Sequence, residues 1–358
     1  MPESPLMEDI RRQCVAIQRP DPALDAQAAA HLDNLTKPLG SLGRLEDAAR
    51  QLFCIQQRAP LAARPACMFT IAGDHGVVDE GVASAPQAVT VQMVYNFMNN
   101  GAAINALCAS SGVDLRIVDA GVAGHTFPAH PLFIDKKVGN GTANLARQAA
   151  MSVEDCAKAV KAGMELAEFA AAHGYRAVGT GEMGIGNTTP SSALFCAYLG
   201  FGAGEMTGAG AGIPPAGLEH KTAIIRQALH THSKVIAQGE PFAILAALGG
   251  YEIAALTGLI LGAAARRLAV MIDGFIATAA FTAALQISPA VEAYCFFSHG
   301  SAEAGHGLAL QRLGKKPLLD LGMRLGEGTG AALGLFLLEA AANAYNSMAT
   351  FADAGVEQ

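Results

Sequence analysis

Short apolar runs that end in small residues and one polar side chain recur along this chain. Most of these runs favour a strand and are followed by helix-period apolar positions, so the alternation predicts a parallel sheet with crossover helices, an α/β fold. Ligands bind at the carboxyl ends of the strands in such sheets, so we expect the polar side chains to converge there. The runs and their polar residues are Cys67–Ile71 with Asp74, Leu115–Val118 with Asp119, Ala177–Val178 with Glu182, Leu268–Ile272 with Asp273, Ala293–Phe297 with Ser301, and Pro317–Leu325 with Glu327.

The beginning of the chain has a different pattern. Asp21–Leu32 and Arg44–Gln57 have the apolar spacing of amphipathic helices, and no strand pattern lies between them. We therefore predict three parts. Residues 1–60 form the N-terminal helical part of a small domain, residues 61–340 form the α/β catalytic domain, and residues 341–358 form a C-terminal helical tail.

Hydropathy raises the question of a membrane protein, because 51% of the 358 residues are hydrophobic and the mean hydropathy is +0.30. The two longest apolar stretches do not resemble a span of ~20 apolar residues. Gly274–Val291 is interrupted by polar residues and a proline, and Phe242–Ala265 is interrupted by Gly249, Gly250 and Glu252. We predict buried helices at both places and no membrane partner.

Charge and cysteine content indicate a cytoplasmic protein that does not bind nucleic acid. Met1–Pro20 lacks the apolar segment of a secretory signal. The seven cysteines form no Cys-x-x-Cys pair, which is typical of free thiols in a reducing compartment. The formal charge is −7 and there is no long basic run, so we expect no nucleic-acid partner.

Glu327 is the most informative single residue. It follows an apolar run and lies within Gly326-Glu327-Gly328-Thr329-Gly330, before an apolar helix that begins at about Ala331. A lone carboxylate between residues too small to shield it is placed like a general acid or base. The alternative is that Glu327 caps the following helix, since carboxylates favour helix N-termini.

A dinucleotide-binding fingerprint offers another function. Gly179-x-Gly181-x-x-Gly184 matches Gly-x-Gly-x-x-Gly, which predicts an NAD(P)-dependent oxidoreductase when a helix opens straight from the glycines. Here the turn continues to Thr188, and the acidic residue at the expected distance, Glu205, lies in a glycine-rich loop. The match is weak, and a non-catalytic nucleotide-binding protein is a further alternative. The histidines and carboxylates form no cluster with metal-ligand spacing, so we predict no metal and no cofactor.

Four longer strings resemble one enzyme family. They follow one another in the order found in the nicotinate-nucleotide:dimethylbenzimidazole phosphoribosyltransferase family, and they extend over nearly the whole chain. The resemblance implies a Rossmann-like parallel sheet with flanking helices, a smaller helical domain and a homodimer. The strings are Thr36–Glu46, Ala72–Val78, Gly184–Pro190 and Arg324–Gly330.

The resemblance also implies a reaction. The family transfers the 5-phosphoribosyl group of nicotinate mononucleotide to 5,6-dimethylbenzimidazole, which gives α-ribazole 5′-phosphate and nicotinate for the lower ligand of cobalamin. By motif, Glu327 is the general base and Glu182 is a second acidic residue of the site. The implied substrate-binding residues are Ser84 and Gln92 beside the aromatic base, and Met183, Gly184, Ile185, Gly186, Lys221, Asp273, Ser301, Leu325 and Gly326.

Some implied residues have simpler interpretations. Glu182 and Asp273 could be structural acids, and Gln92 could be a solvated residue of a helix over 87–99. Lys221 lies in a charged helix start where an exposed lysine is the default, and Ser301 could be the N-cap of a helix over 302–312. The chain also departs from the family at Ala211, where members often carry threonine, so a side-chain contact from that position is not expected.

Overall fold

A six-stranded parallel sheet forms the centre of the protein. The computed structural model describes residues 4–210 and 212–357. The strand order is β3-β2-β1-β4-β5-β6, and every neighbouring pair is parallel. The strands are β1 Ala66–Gly73, β2 Asp114–Gly121, β3 Phe133–Asp135, β4 Ala177–Met183, β5 Ala269–Ile272 and β6 Cys295–Phe297.

Sixteen α-helices surround the sheet within the described residues. They are α1 Pro5–Val15, α2 Ala23–Asp33, α3 Arg44–Gln56, α4 Ala88–Met98, α5 Ala103–Ser111, α6 Val153–Ala172, α7 Thr188–Leu199, α8 Ala203–Met206, α9 Pro215–Thr231, α10 Ser233–Gln238, α11 Pro241–Leu248, α12 Tyr251–Ala265, α13 Phe275–Ile287, α14 His306–Arg312, α15 Thr329–Ser347 and α16 Phe351–Ala354.

Both faces of the sheet are covered by helices. Every residue of β1 is buried, as in a parallel sheet packed on both sides. Successive side chains of a strand point to opposite faces. Phe69 packs its ring against Phe169 of α6, whereas Met68 lies beside Gly328 at the start of α15. Helices α6 and α12 therefore cover one face, and α15 covers the other.

The N-terminal helices pack against the C-terminal segment. Leu35 pairs with Thr350 in an antiparallel bridge, and the Thr36 amide donates to the Ala349 carbonyl at 3.0 Å. Helix α15 packs on α3 and continues unbroken through residue 340. The domain limits at residues 60 and 340 remain predictions.

The α/β prediction is confirmed, with one strand misassigned. Five of the predicted runs lie in β1, β2, β4, β5 and β6. The strand predicted over Pro317–Leu325 is wrong: this segment is a loop that touches the sheet through a single bridge between His299 and Leu319. Its apolar residues Leu321 and Leu325 are more than half exposed, so the apolar pattern of this segment does not mark a buried strand. Strand β3 was not predicted.

The apolar stretches fold as buried helices, as the sequence predicts. Phe242–Ala265 forms α11 and α12, and Gly274–Val291 contains α13, all with mostly buried residues. Across the described ranges, no helix combines the length and the apolar character needed to cross a bilayer.

Candidate active site

A cavity of about 270 Å³ lies at the carboxyl ends of β4, β5 and β6. The chain leaves β1 toward β2 and leaves the neighbouring β4 toward β5, and ligands bind in the crevice at such a reversal of strand order. The lining residues are Met93, Glu182, Met183, Gly184, Ile185, Asn187, Thr188, Gly210, Asp273, Gly274, Phe275, Ile276, Ala277, His299, Ser301, Glu303, Arg324, Leu325, Gly326 and Glu327.

Glu327 has an unusual backbone conformation. Its φ is +63°, and it lies between Gly326 at +87° and Gly328 at +95°. A residue with a side chain is seldom left-handed, so the surrounding structure must hold it there. The Thr70 hydroxyl donates to the Glu327 carbonyl at 2.8 Å, and a Cβ at Gly181 would collide with the same carbonyl. The loop is therefore fixed onto the ends of β1 and β4.

The Glu327 carboxyl group is largely buried at the cavity wall. Its Oε2 accepts a hydrogen bond of 3.2 Å from the Ile104 amide in the first turn of α5. Burial raises the pKa of Glu327, the Ile104 amide opposes this, and the nearby Asp273 carboxyl raises it further. The cap alternative is wrong, because the N-cap of α15 is Gly328 and has no side-chain hydrogen bond. Glu327 is thus a carboxyl group with increased proton affinity, as a general base at neutral pH requires.

Glu182 ends β4 and is held by Asn187, whose side-chain amide donates to Oε2. Burial raises the pKa of Glu182 to about 8, against the Asn187 hydrogen bond. Negative charges on Asp273, Glu252 and Glu327 add to the increase. The carboxyl group is therefore mostly protonated at pH 7 in the absence of ligand, and a cationic ligand would favour its ionisation.

Asp273 lines the same cavity as Glu182 and Glu327. Its Oδ1 accepts a hydrogen bond of 2.9 Å from the Ala331 amide and lies 3.9 Å from His299 Nδ1. Burial raises the pKa of Asp273, and His299 is the main opposing influence. Asp273 thus ties the start of α15 to β5 and contributes to the acidic character of the cavity.

Lys221 of α9 is fully buried, so the exposed lysine expected by default is not found. Its Nζ donates to Thr188 Oγ1 at 2.7 Å and to the Gly208 carbonyl at 3.0 Å. Burial lowers the pKa of Lys221 to about 8, and the charge of Glu303 opposes this. Lys221 does not line the cavity, but Thr188 and Glu303 do, so its charge lies directly behind the wall.

Ser301 and the residues around it form a loop and not a helix start. Ser301 lines the cavity, and its hydroxyl accepts from the Glu303 amide at 3.2 Å. The predicted helix over 302–312 begins only at His306, with Gly305 as N-cap, so the prediction that Ser301 is the cap is wrong. Gly305 has a φ of +84°, and this left-handed residue delays the helix.

Two residues implied for the aromatic base do not lie in the cavity. Ser84 and Gln92 are both exposed, and α4 contributes Met93 instead. Gly186 is not a lining residue either, and Lys221 lies behind the wall; the remaining implied residues come together around the cavity. Ala211 lies outside the described residues.

Sequence reasoning missed several wall residues. Asn187 and Thr188 belong to the string Gly184–Pro190, and His299 and Glu303 flank Ser301 after β6. These four residues follow the ends of β4 and β6, and this position in the sequence could have indicated that they line the cavity. Arg324 belongs to the string Arg324–Gly330, whereas the apolar residues at the start of α13 had no sequence signal of their own.

The dinucleotide fingerprint has the wrong structural context. Gly179 and Gly181 lie inside β4, where the fingerprint requires a turn that opens a helix. A Cβ at Gly179 would meet Met68, so this glycine allows close packing within the sheet. Among residues 4–210 and 212–357, no three His, Cys, Asp or Glu side chains are arranged to hold a metal ion.

Comparisons with known proteins cover nearly the whole chain. A family described as Phosphoribosyltransferase matches residues 17–356. Nicotinate-nucleotide--dimethylbenzimidazole phosphoribosyltransferase of Nitratidesulfovibrio vulgaris strain DP4 is 57% identical over 98% of both chains. The enzyme of the same name from Chlorobium chlorochromatii is 49% identical over 99% of both. A crystal structure of CobT from Thermus thermophilus superposes with a TM-score of 0.88 at 40% identity, covering 94% of this chain and all of the other.

Proposed function

The chain belongs to the nicotinate-nucleotide--dimethylbenzimidazole phosphoribosyltransferase family, and we propose that it transfers the 5-phosphoribosyl group of nicotinate mononucleotide to 5,6-dimethylbenzimidazole. The products are α-ribazole 5′-phosphate and nicotinate, for the nucleotide loop of cobalamin. The observation that carries the proposal is the buried Glu327 carboxyl group, held in a strained loop at the wall of a cavity that also contains Glu182 and Asp273.

The donor occupies the part of the cavity formed by the Gly184–Gly186 turn, Ser301 and Gly326. Gly186 and Gly326 are left-handed, and backbone amides in such turns point toward an anion. Lys221 behind the wall supplies positive charge for the phosphate. These features support phosphate binding at this end of the site.

The proposed reaction requires one general base. The pyridinium ring of the donor already carries a positive charge and leaves as a neutral ring, so its departure needs no acid. The acceptor azole must lose its N–H proton while its other nitrogen attacks the anomeric carbon. Glu327 takes this proton, and a positioned base of this kind contributes ~10²–10⁴-fold.

Glu182 stabilises the positive charge that develops on the ribose. Its carboxyl group is neutral at pH 7 without ligand and ionises when the cationic donor arrives. Attack from the face opposite the leaving group inverts the anomeric centre, which accounts for an α-product from a β-nucleotide. Orientation of the two ligands provides much of the remaining acceleration.

We further infer a cytoplasmic homodimer in which Ser84 and Gln92 approach the aromatic base. Both side chains are exposed in the single chain; Gln92 precedes the lining residue Met93 in α4, and Ser84 lies in the segment that leads into α4. A small movement of α4 on ligand binding or dimer formation would bring them nearer.

The test is turnover of nicotinate mononucleotide and dimethylbenzimidazole, followed by chromatography of nicotinate and the ribotide. Glu327→Ala should lower kcat by ~10²–10⁴-fold, the range for a lost general base. Glu219→Gln is the control, because Glu219 is an exposed carboxylate of α9 outside the cavity. Full activity of Glu327→Ala would refute the assigned base. Tight binding of both ligands without turnover by the wild-type protein would favour a non-catalytic nucleotide-binding role.

A further inference from the structure

A fully buried histidine–glutamate pair lies beneath the Gly184 turn. His75 follows β1, and Glu252 lies in the first turn of α12. His75 Nε2 and Glu252 Oε1 are 2.6 Å apart, and both side chains are completely inaccessible to solvent. Burial lowers the pKa of His75, but the adjacent Glu252 and the nearby Asp74 together outweigh this, so the pKa of the imidazole lies above its ordinary value.

Glycines enclose this pair on three sides. A Cβ at Gly73 would lie 2.7 Å from Glu252 Oε2, and one at Gly184 would lie 3.2 Å from His75 Nε2. A Cβ at Gly250 would lie 2.7 Å from Glu252 Oε2 and would also collide with the His75 ring. The chain therefore leaves room for two charged side chains where larger apolar residues could have packed.

Stability does not account for the pair. His75 Nδ1 and Glu252 Oε2 have no hydrogen-bond partner, and a buried polar group without a partner destabilises the folded state. Replacing a buried ion pair by well-packed apolar residues is often neutral or stabilising. The pair thus lowers stability at a position directly under the candidate active site.

The contacts of the pair lead into the cavity. The His75 ring packs under Gly184, and a Cβ at Gly184 would also lie 3.4 Å from the side-chain nitrogen of Asn187. That nitrogen donates to Glu182. The Gly184 turn is held on its other side by Thr90, whose hydroxyl accepts from the Ile185 amide at 3.2 Å.

We propose that His75 and Glu252 are positioning residues of the phosphoribosyl transfer. Together they support the Gly184 turn from below and aim the Asn187 amide at Glu182. The donor's phosphate and ribose then meet a turn of fixed shape. This inference rests on the proposed function of Glu182 and the Gly184 turn. Neither His75 nor Glu252 lines the cavity, so they act through other residues.

The experiment compares Glu252→Gln with Thr257→Val. The glutamine has the same shape and keeps a hydrogen bond to His75 but removes the charge. Thr257 is buried on the same helix and donates to Ile253 and Ala280 carbonyls away from the cavity. Because small misplacements at a reaction centre cost up to ~10²-fold, Glu252→Gln should lower kcat/KM for nicotinate mononucleotide by ~10- to 100-fold. Its KM for dimethylbenzimidazole should stay unchanged, and Thr257→Val should keep wild-type kinetics.

Wild-type kinetics in Glu252→Gln, or equal losses in both variants that follow a lower Tm, would overturn the inference. If Glu252→Gln does not fold, hydrogen exchange of the wild-type protein decides. Nicotinate mononucleotide should slow exchange in peptides that contain His75 and Glu252 as well as in the Gly184 turn; protection of the turn alone would overturn the inference. Absence of wild-type turnover would instead refute the proposed function, so the two failures are distinguishable.

Discussion

Replacing Glu182 by glutamine should make the protein more stable than the wild type at alkaline pH. The folded-state pKa of Glu182 is about 8, whereas its model value is 4.5. Between these values the unfolded chain has released the proton and the folded chain keeps it, so stability falls as pH rises until the folded pKa is passed. At 1.36 kcal/mol per pKa unit, the loss between pH 5 and pH 8.5 is about 4 kcal/mol.

Scanning calorimetry can measure this difference. With an unfolding entropy of about 2.1 cal/mol/K per residue, 4 kcal/mol corresponds to about 5 °C in Tm for a chain of 358 residues. The Tm advantage of Glu182→Gln over the wild type should therefore grow by about 5 °C between pH 5 and pH 8.5. Titrating groups that do not interact with Glu182 behave alike in both proteins and cancel in the comparison. A Tm difference between the two proteins that does not change with pH would refute the inference that Glu182 is protonated in the folded protein at neutral pH.

Two further substitutions test the loop and the phosphate end. Gly181→Ala should lower kcat more than it changes either KM, because the new methyl group would displace the Glu327 carbonyl. Steady-state kinetics of this variant can be compared with those of Gly334→Ala, a control at a glycine of α15 that is also tightly packed. Equal effects of the two substitutions would contradict the prediction. Lys221→Met should raise KM for nicotinate mononucleotide by at least about tenfold, because a tenfold change corresponds to the loss of ~1.4 kcal/mol of a charge-assisted interaction. The KM for dimethylbenzimidazole should not change. An unchanged KM for nicotinate mononucleotide would contradict a role of Lys221 in phosphate binding.

The location of the site could be predicted from sequence because strand ends carry a simple signal. Glu182, Asp273 and Ser301 each follow an apolar run, and parallel strands present their carboxyl ends at one edge. The one misassigned run, Pro317–Leu325, still brought Leu325 and Glu327 to the cavity, because a bridge to His299 anchors it beside β6.

Long-range burial could not be predicted in the same way. Lys221 has charged and polar neighbours in sequence, and only the packing of α9 against α7 places it under Thr188. His75 and Glu252 are 177 positions apart, so no local pattern indicates that they meet. Periodicity reports which face of an element is apolar, but it does not report which polar residue another element will cover.

The grouping of three carboxyl groups favours cationic ligands over neutral ones in the candidate site. Glu182, Asp273 and Glu327 line one cavity, and burial raises the pKa of each; repulsion from neighbouring carboxyl groups adds to the increase at Glu182 and Glu327. A positive charge on the ligand relieves that repulsion and allows the carboxyl groups to ionise. The donor brings a cationic ring, and the oxocarbenium-like transition state keeps a positive charge near the ribose, whereas the departing nicotinate ring is neutral. Under the proposed function, the same cluster would stabilise the donor and the transition state and would weaken the binding of the leaving group, so that nicotinate leaves after transfer.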